Sequence, residues 1–199
     1  SKSQKWGRKL ALTCVKIMLA AVVGIGICGV AAGIGVFRGI LSSTPTIRLS
    51  DVVAVGEATI VYDKEGNEID QYVSTNSNRL SVGMDEIPDY LGKAFVAIED
   101  ERFYQHNGID VKGILRAGYQ FIKTGGEEAQ GASTITQQLL KNTVFTDWTS
   151  EGNNKIKKIK RKIQEQYLAL EITKYYSKDE ILLRYMNAIN LGQNTLGVE

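Results

Sequence analysis

The chain has 199 residues, 43% hydrophobic and 23% charged, with a formal net charge of +2. That balance, without an internal repeat, excludes a disordered chain and a solenoid. A single histidine, and two cysteines confined to Cys14 and Cys28, exclude a multi-histidine zinc site and, beyond residue 28, any disulfide framework or cysteine-based metal centre.

Residues 1–16 carry Lys2, Lys5, Arg8, Lys9 and Lys16 and no acid, and residues 17–37 carry no charge. At about 1.5 Å per residue, those 21 residues cross a hydrocarbon core of roughly 30 Å. The basic flank predicts a cytoplasmic tail (1–16), an uncleaved transmembrane helix (17–37) and an extracytoplasmic remainder. A cleaved signal peptide would have a shorter apolar region. Gly24, Gly26 and Gly29 form a GxGxxG within the span, but no strand precedes it, so it carries no dinucleotide site.

Residues 38–57 read as a linker and 58–199 as the main domain. Alternation around Lys64-Glu65-Gly66-Asn67 predicts a β-hairpin over 58–73, with Ile60, Tyr62, Ile69 and Tyr72 in its strands. Pro88 opens a helix with Leu91, Ala94, Phe95 and Ile98 on its apolar side, ending near Asn107-Gly108. A second helix starts after Asp110 as cap and runs through Ile114, Leu115 and Phe121 to Gly125-Gly126, where a loop begins. Thr134 and Gln137 form a capping box for a third helix, and 143–154 is a loop containing Trp148. From Lys155 a long helix places Ile156, Ile159, Ile163 and Leu170 inside and Arg161 and Glu165 on another face. Ser177 and Glu180 cap a last helix through Ile181, Leu182 and Tyr185.

Two stretches carry chemistry. At helical spacing Glu99, Arg102, Phe103 and His106 share one face, joining an acid, a cation, a ring and the imidazole. On its own, this face also fits an exposed Glu99–Arg102 pair. Residues 155–162 hold six cations, Lys155, Lys157, Lys158, Lys160, Arg161 and Lys162. Outside a membrane such a run suits an anionic lipid surface or a phosphate-bearing substrate rather than nucleic acid.

Glu99-Asp-Glu-Arg-Phe-Tyr-Gln-His-Asn-Gly108, Gly131-Ala-Ser-Thr-Ile-Thr-Gln-Gln-Leu-Leu-Lys-Asn142, Arg161-Lys-Ile-Gln-Glu165 and Lys178-Asp-Glu-Ile-Leu-Leu-Arg-Tyr-Met-Asn187 resemble, in order, four motifs of the peptidoglycan glycosyltransferases. These enzymes occur alone and as the N-terminal catalytic domain of class A penicillin-binding proteins. The resemblance implies a mainly α, lysozyme-like domain with a small β-hairpin near the membrane, preceded by one transmembrane helix. It implies polymerisation of lipid II into β-1,4-linked glycan on the outer face of the cytoplasmic membrane, with inversion. The growing lipid-linked chain is the donor and the 4-hydroxyl of lipid II the nucleophile.

By the same resemblance Glu99 is the general base and Glu165 the second essential acid, beside the donor diphosphate. Lys141, Arg161 and Lys162 surround the phosphates. Thr134, Gln137, Gln138 and Arg102 line the cleft, and His106 and Asn142 support it. Asn187 and Asn190 belong to the fourth and fifth motifs, with structural roles. The resemblance calls for no organic cofactor; at Glu165 it allows a divalent cation, Mg or Mn. Partners are the membrane, lipid II, the growing glycan and other cell-wall synthesis proteins. The fifth motif begins at Asn190-Leu-Gly192 and breaks off at Glu199, which reads as a truncated domain; a transpeptidase domain can follow in the parent protein.

Physical reasoning runs alongside. A sugar hydroxyl is a poor nucleophile, and a positioned carboxylate contributes about 10²–10⁴ in rate. Phe103 beside Glu99 would partly desolvate that carboxylate. Fixed cations stabilise the charge that grows on a diphosphate leaving group. A glycan-cleaving hydrolase would use Glu99 as an acid but leaves the cation cluster unexplained. A silent scaffold would need neither acid.

Overall fold

The computed structural model describes residues 2–53, 59–72, 81–124, 131–146, 152, 154–192 and 195–198. The chain divides into two units, Ser1–Thr44 and Pro45–Glu199.

The first unit is one helix, α1 (Lys2–Ser42). It takes in the basic segment and runs five residues past the expected end at residue 37. Its stretch Leu12–Ser42 is long and apolar enough to cross a membrane. Cys14 and Cys28 both lie on it and are free.

In the second unit, Ile47 packs against the core and Val52 is fully buried. Arg184 donates to the carbonyl of Val52 at 3.1 Å. Part of the expected linker is therefore built into the domain. The hairpin follows as β1 (Thr59–Tyr62) and β2 (Glu68–Tyr72), antiparallel, with Thr59 opposite Tyr72. Its turn is held by Asp63, whose Oδ1 accepts from the backbone N–H groups of Glu65 and Asn67 at 2.9 and 2.8 Å.

Five helices and a 3₁₀ turn complete the domain: α2 (Asp89–Glu99), the turn Phe103–Gln105, α3 (Val111–Lys123), α4 (Ile135–Thr143), α5 (Lys155–Ile172) and α6 (Lys178–Ala188). A short antiparallel pair, β3 (Asn190–Gly192) and β4 (Thr195–Leu196), comes last. Helix α4 is central: it packs on both α5 and α6, while α2 packs on α6. Ile135, Leu139 and Leu140 of α4 meet Leu168, Ala169 and Ile172 of α5 and Ile181, Tyr185 and Met186 of α6 in one buried cluster. Ser177 and Glu180 make the full reciprocal cap of α6. Thr134 accepts from the N–H of Gln137 at 3.2 Å but gives α4 only this half of the expected box.

Several expectations are corrected. The first helix stops at Glu99, not near Gly108, because Asp100 leaves helical geometry with φ −158° and ψ 72°. Its inward residues are Leu91, Phe95 and Val96; Ala94 is exposed and Ile98 is 80% exposed. In α5, Ile156 and Ile159 are exposed, and the buried positions are Gln164, Glu165, Leu168, Ala169 and Ile172. The face carrying Glu165 is thus the inward one. The periodicity of α5 fits two faces, and packing against α4 selects between them. Trp148 and Gly125-Gly126 lie outside the described residues.

Candidate active site

Helix α2 delivers Glu99 at its last turn, and the break at Asp100 is built from side-chain chemistry. Asp100 is 7% exposed. Its Oδ2 accepts from the N–H of Ile135, at the positive N-terminus of α4, at 3.1 Å. Its Oδ1 lies 2.9 Å from Nε2 of His106. One carboxylate thereby fastens the end of α2, the 103–108 turn and the start of α4. Next to it Thr134 donates to the carbonyl of Gly108 at 2.7 Å. Gly108 has φ +89°, and a Cβ there would stand 2.4 Å from the carbonyl oxygen of Ala169.

This arrangement dissolves the helical face predicted for residues 99–106. Phe103 is fully buried, with Nζ of Lys178 4.3 Å from its ring centre. Glu99 is exposed, so the desolvation expected from Phe103 does not arise. Arg102 pairs with Asp110, not Glu99: Nη2 to Oδ2 is 2.5 Å. Asp110 stands at the N-cap of α3 with its carboxylate committed to that pair. Partial burial pushes the Asp110 carboxyl up, but the Arg102 guanidinium holds it below its ordinary value.

Glu99, Arg102, Thr134 and Gln138 share the wall of one open cavity of about 450 Å³, with Ile98, Glu101, Asp110, Arg116 and Ser133. This volume lies in the range of about 300–1,000 Å³ usual for ligand sites. Gln138 donates from Nε2 to Oε2 of Glu99 at 2.9 Å. Its own Oε1 accepts from the hydroxyl of Tyr185 at 3.4 Å. Burial, then the charge of Glu99, push the Tyr185 hydroxyl upward, so it remains a donor.

Ser133 leads from this cavity to the second acid. Lys162 donates from Nζ to Ser133 Oγ at 2.9 Å and pairs with Glu165 Oε2 at 2.8 Å. Arg161 pairs with Glu165 Oε1. Glu165 is fully buried, so two cations hold one buried carboxylate. Lys155, Lys157, Lys158 and Lys160 stay exposed. Lys141 and Asn142 are half-buried at the end of α4, off the cavity wall. Gln137 is 2% exposed and not part of the cavity wall, which leaves Gln138 as the amide that faces the cavity. His106 is a support, bound to Asp100.

Both oxygens of Glu165 are taken by cations, and among the described residues no group of three or more His, Cys, Asp or Glu side chains is placed to hold a metal ion. These residues do not build a divalent-cation site by themselves. Asp100 and Ser133 lie inside two of the quoted motifs but carry no role there, and Arg116 lies outside all four. The acid beside Glu99 was a signal for Asp100, but nothing in the order of residues marks Arg116.

A family model described as Transglycosylase matches residues 65–199. The chain belongs to the transglycosylase family. The lysozyme-like, mainly helical class expected of a transglycosylase is the class of this chain. Penicillin-binding protein 1A of Clostridium perfringens strain ATCC 13124 is 40% identical over 99% of this chain and 23% of its own length. Its namesake from C. perfringens strain 13 is 43% identical over 88% of this chain and 26% of its own. Penicillin-binding protein 1A/1B of Bacillus subtilis is 38% identical over 99% and 20%. This transglycosylase chain spans about a quarter of the length of the curated relatives it matches.

Proposed function

We propose that the chain polymerises lipid II into β-1,4-linked glycan, taking a lipid-diphosphate-linked chain as donor and inverting the configuration at its anomeric carbon. The observation that carries this reading is Glu99, exposed on the cavity wall and aimed by Gln138. An open, oriented carboxylate suits a base that takes the proton of the attacking hydroxyl. The bond from that oxygen to the anomeric carbon forms as the bond to the diphosphate breaks.

The diphosphate leaves with its electron pair and needs fixed cations. Arg161 and Lys162, anchored by Glu165, with Lys162 linked to the cavity through Ser133, are suited to that role, and the motif resemblance adds Lys141 of α4. Glu165 then acts by orienting cations. A hydrolase would not need this second cluster.

The site belongs at a membrane. Val111, Leu115, Tyr119 and Ile122 of α3 recur at i, i+4, i+8 and i+11 and are all exposed, as is Ile98 at the cavity. An outward apolar stripe on a helix with cationic flanks favours the lipid interface. Together with α1 and its basic N-terminal segment, this supports a single-pass protein with a cytoplasmic N-terminus and an extracytoplasmic domain. Other cell-wall synthesis proteins are proposed partners there.

The test uses the full-length parent protein with labelled lipid II, beside Glu99→Gln, with products sized before and after muramidase. Long muramidase-sensitive chains from the wild type alone are expected. Shortening of added glycan, or equal chains from both, overturns the reading.

A further inference from the structure

Two cations, Arg102 and Arg116, line the cavity that holds Glu99. Arg102 is spent on Asp110, with both side chains largely buried. Arg116 is exposed, and among the described residues it makes no hydrogen bond or ion pair. The guanidinium left over on this wall therefore has room for an anion from outside.

Its place on α3 says which anion. Arg116 follows Leu115 of the apolar stripe and falls on the flank it shares with Lys112 and Lys123, spaced i, i+4 and i+11. When such a stripe lies in a lipid interface, its flank sits at the depth of lipid phosphates. The planar guanidinium binds phosphate oxygens in pairs, which a lysine does not. On α5, by contrast, Lys162 donates to Ser133 of the cavity wall and shares Glu165 with Arg161. Two lipid-linked phosphates thus have two separate sets of cations.

We propose that Arg116 holds the phosphate of the lipid-linked acceptor, the substrate whose hydroxyl Glu99 deprotonates. The proposal rests on the polymerase reading above and deepens it. Phosphate at Arg116 fixes one end of the acceptor while Glu99 meets the other, so Arg116 sets the acceptor's register in the cavity. It also makes an acceptor without a phosphate a poor substrate.

The experiment measures chain extension by the full-length protein in vesicles, with saturating preformed lipid-linked glycan as donor and lipid II varied. For Arg116→Gln the half-saturating lipid II concentration should rise about tenfold or more, the loss of a charge-assisted contact. Maximal rate and donor half-saturation should stay within about twofold of wild type. Arg116→Lys should recover part of the loss, and both variants should melt with the wild type. An unchanged acceptor half-saturation, or a fall in maximal rate alone, overturns the proposal. So does a defect that vanishes when anionic lipid is left out of the vesicles, because the phosphate would then belong to bulk headgroups. Absence of extension by the wild type would instead sink the polymerase reading itself.

Discussion

Gln138 donates to Glu99 across the gap between α4 and α2, Nε2 to Oε2 at 2.9 Å, while its other amide atom takes the hydroxyl of Tyr185. Tyr185 is fully buried in the α4–α6 core. The orientation of an exposed carboxylate is thereby referred back to packing. Gln138→Ala frees Glu99 to rotate while leaving the core intact. Extension rate should fall about tenfold, the order expected when a base loses its orienting bond. The melting temperature should stay put. Tyr185→Phe keeps the ring and should cost less, and a larger loss than from Gln138→Ala would break the proposed order of support.

Glu99→Gln and Glu165→Gln should separate activity from stability. Glu99 is exposed, so its amide variant should unfold like the wild type while losing about 10²–10⁴ in rate. Glu165 is fully buried between Arg161 and Lys162. Removing its charge leaves two neighbouring cations uncompensated, a loss of about 3 kcal/mol. Denaturant unfolding of both variants checks this, and equal stability for Glu165→Gln would contradict the buried pair.

What the sequence made legible follows from the range of each interaction. Caps and periodicity act within a turn or two, and so Pro88, Ser177 with Glu180, and the starts of α3, α4 and α5 could be read directly. The end of α2 could not, because Asp100 is drawn out of the helix by Ile135 and His106, one of them 35 positions away. With that break go the shared face of residues 99–106 and the Glu99–Arg102 pair. The inward face of α5 escapes the hydrophobic periodicity for a related reason. Ile156 and Ile159 obey helical spacing, but α4 meets α5 along Glu165, Leu168 and Ala169. Both acids were found through motif resemblance; their surroundings were visible only in the fold.

The Arg102–Asp110 pair makes stability depend on acidity. The Asp110 carboxyl is held below its ordinary value of 3.8, so its contribution is complete above that value. It fades as pH falls through the lowered folded value, where the native carboxyl at last takes up a proton. Arg102→Met removes the partner. At neutral pH the variant should be less stable by about 1–2 kcal/mol, and its stability should fall less steeply in acid. Unfolding midpoints from pH 6 to about pH 2 test the sign, and parallel curves for the two proteins would rule the pair out as a source of the slope.

Gly108 closes the turn that follows Glu99, and two independent constraints meet there. Its φ of +89° is costly for a residue with a side chain, and a Cβ would stand 2.4 Å from the carbonyl oxygen of Ala169, which is backbone and cannot swing aside. Its carbonyl also accepts from Thr134, the N-cap of α4. Gly108→Ala should therefore act twice. The strain itself should cost about 1–3 kcal/mol. To relieve the clash the turn must move away from α5, pulling on Thr134 and on the start of the helix that carries Gln138. Activity should then fall together with stability, unlike in Gln138→Ala, where it falls alone. A Gly108→Ala protein that melts with the wild type and extends glycan at its rate would show that the turn can shift without moving α4, and would remove the link drawn here between this backbone position and the aim of Glu99.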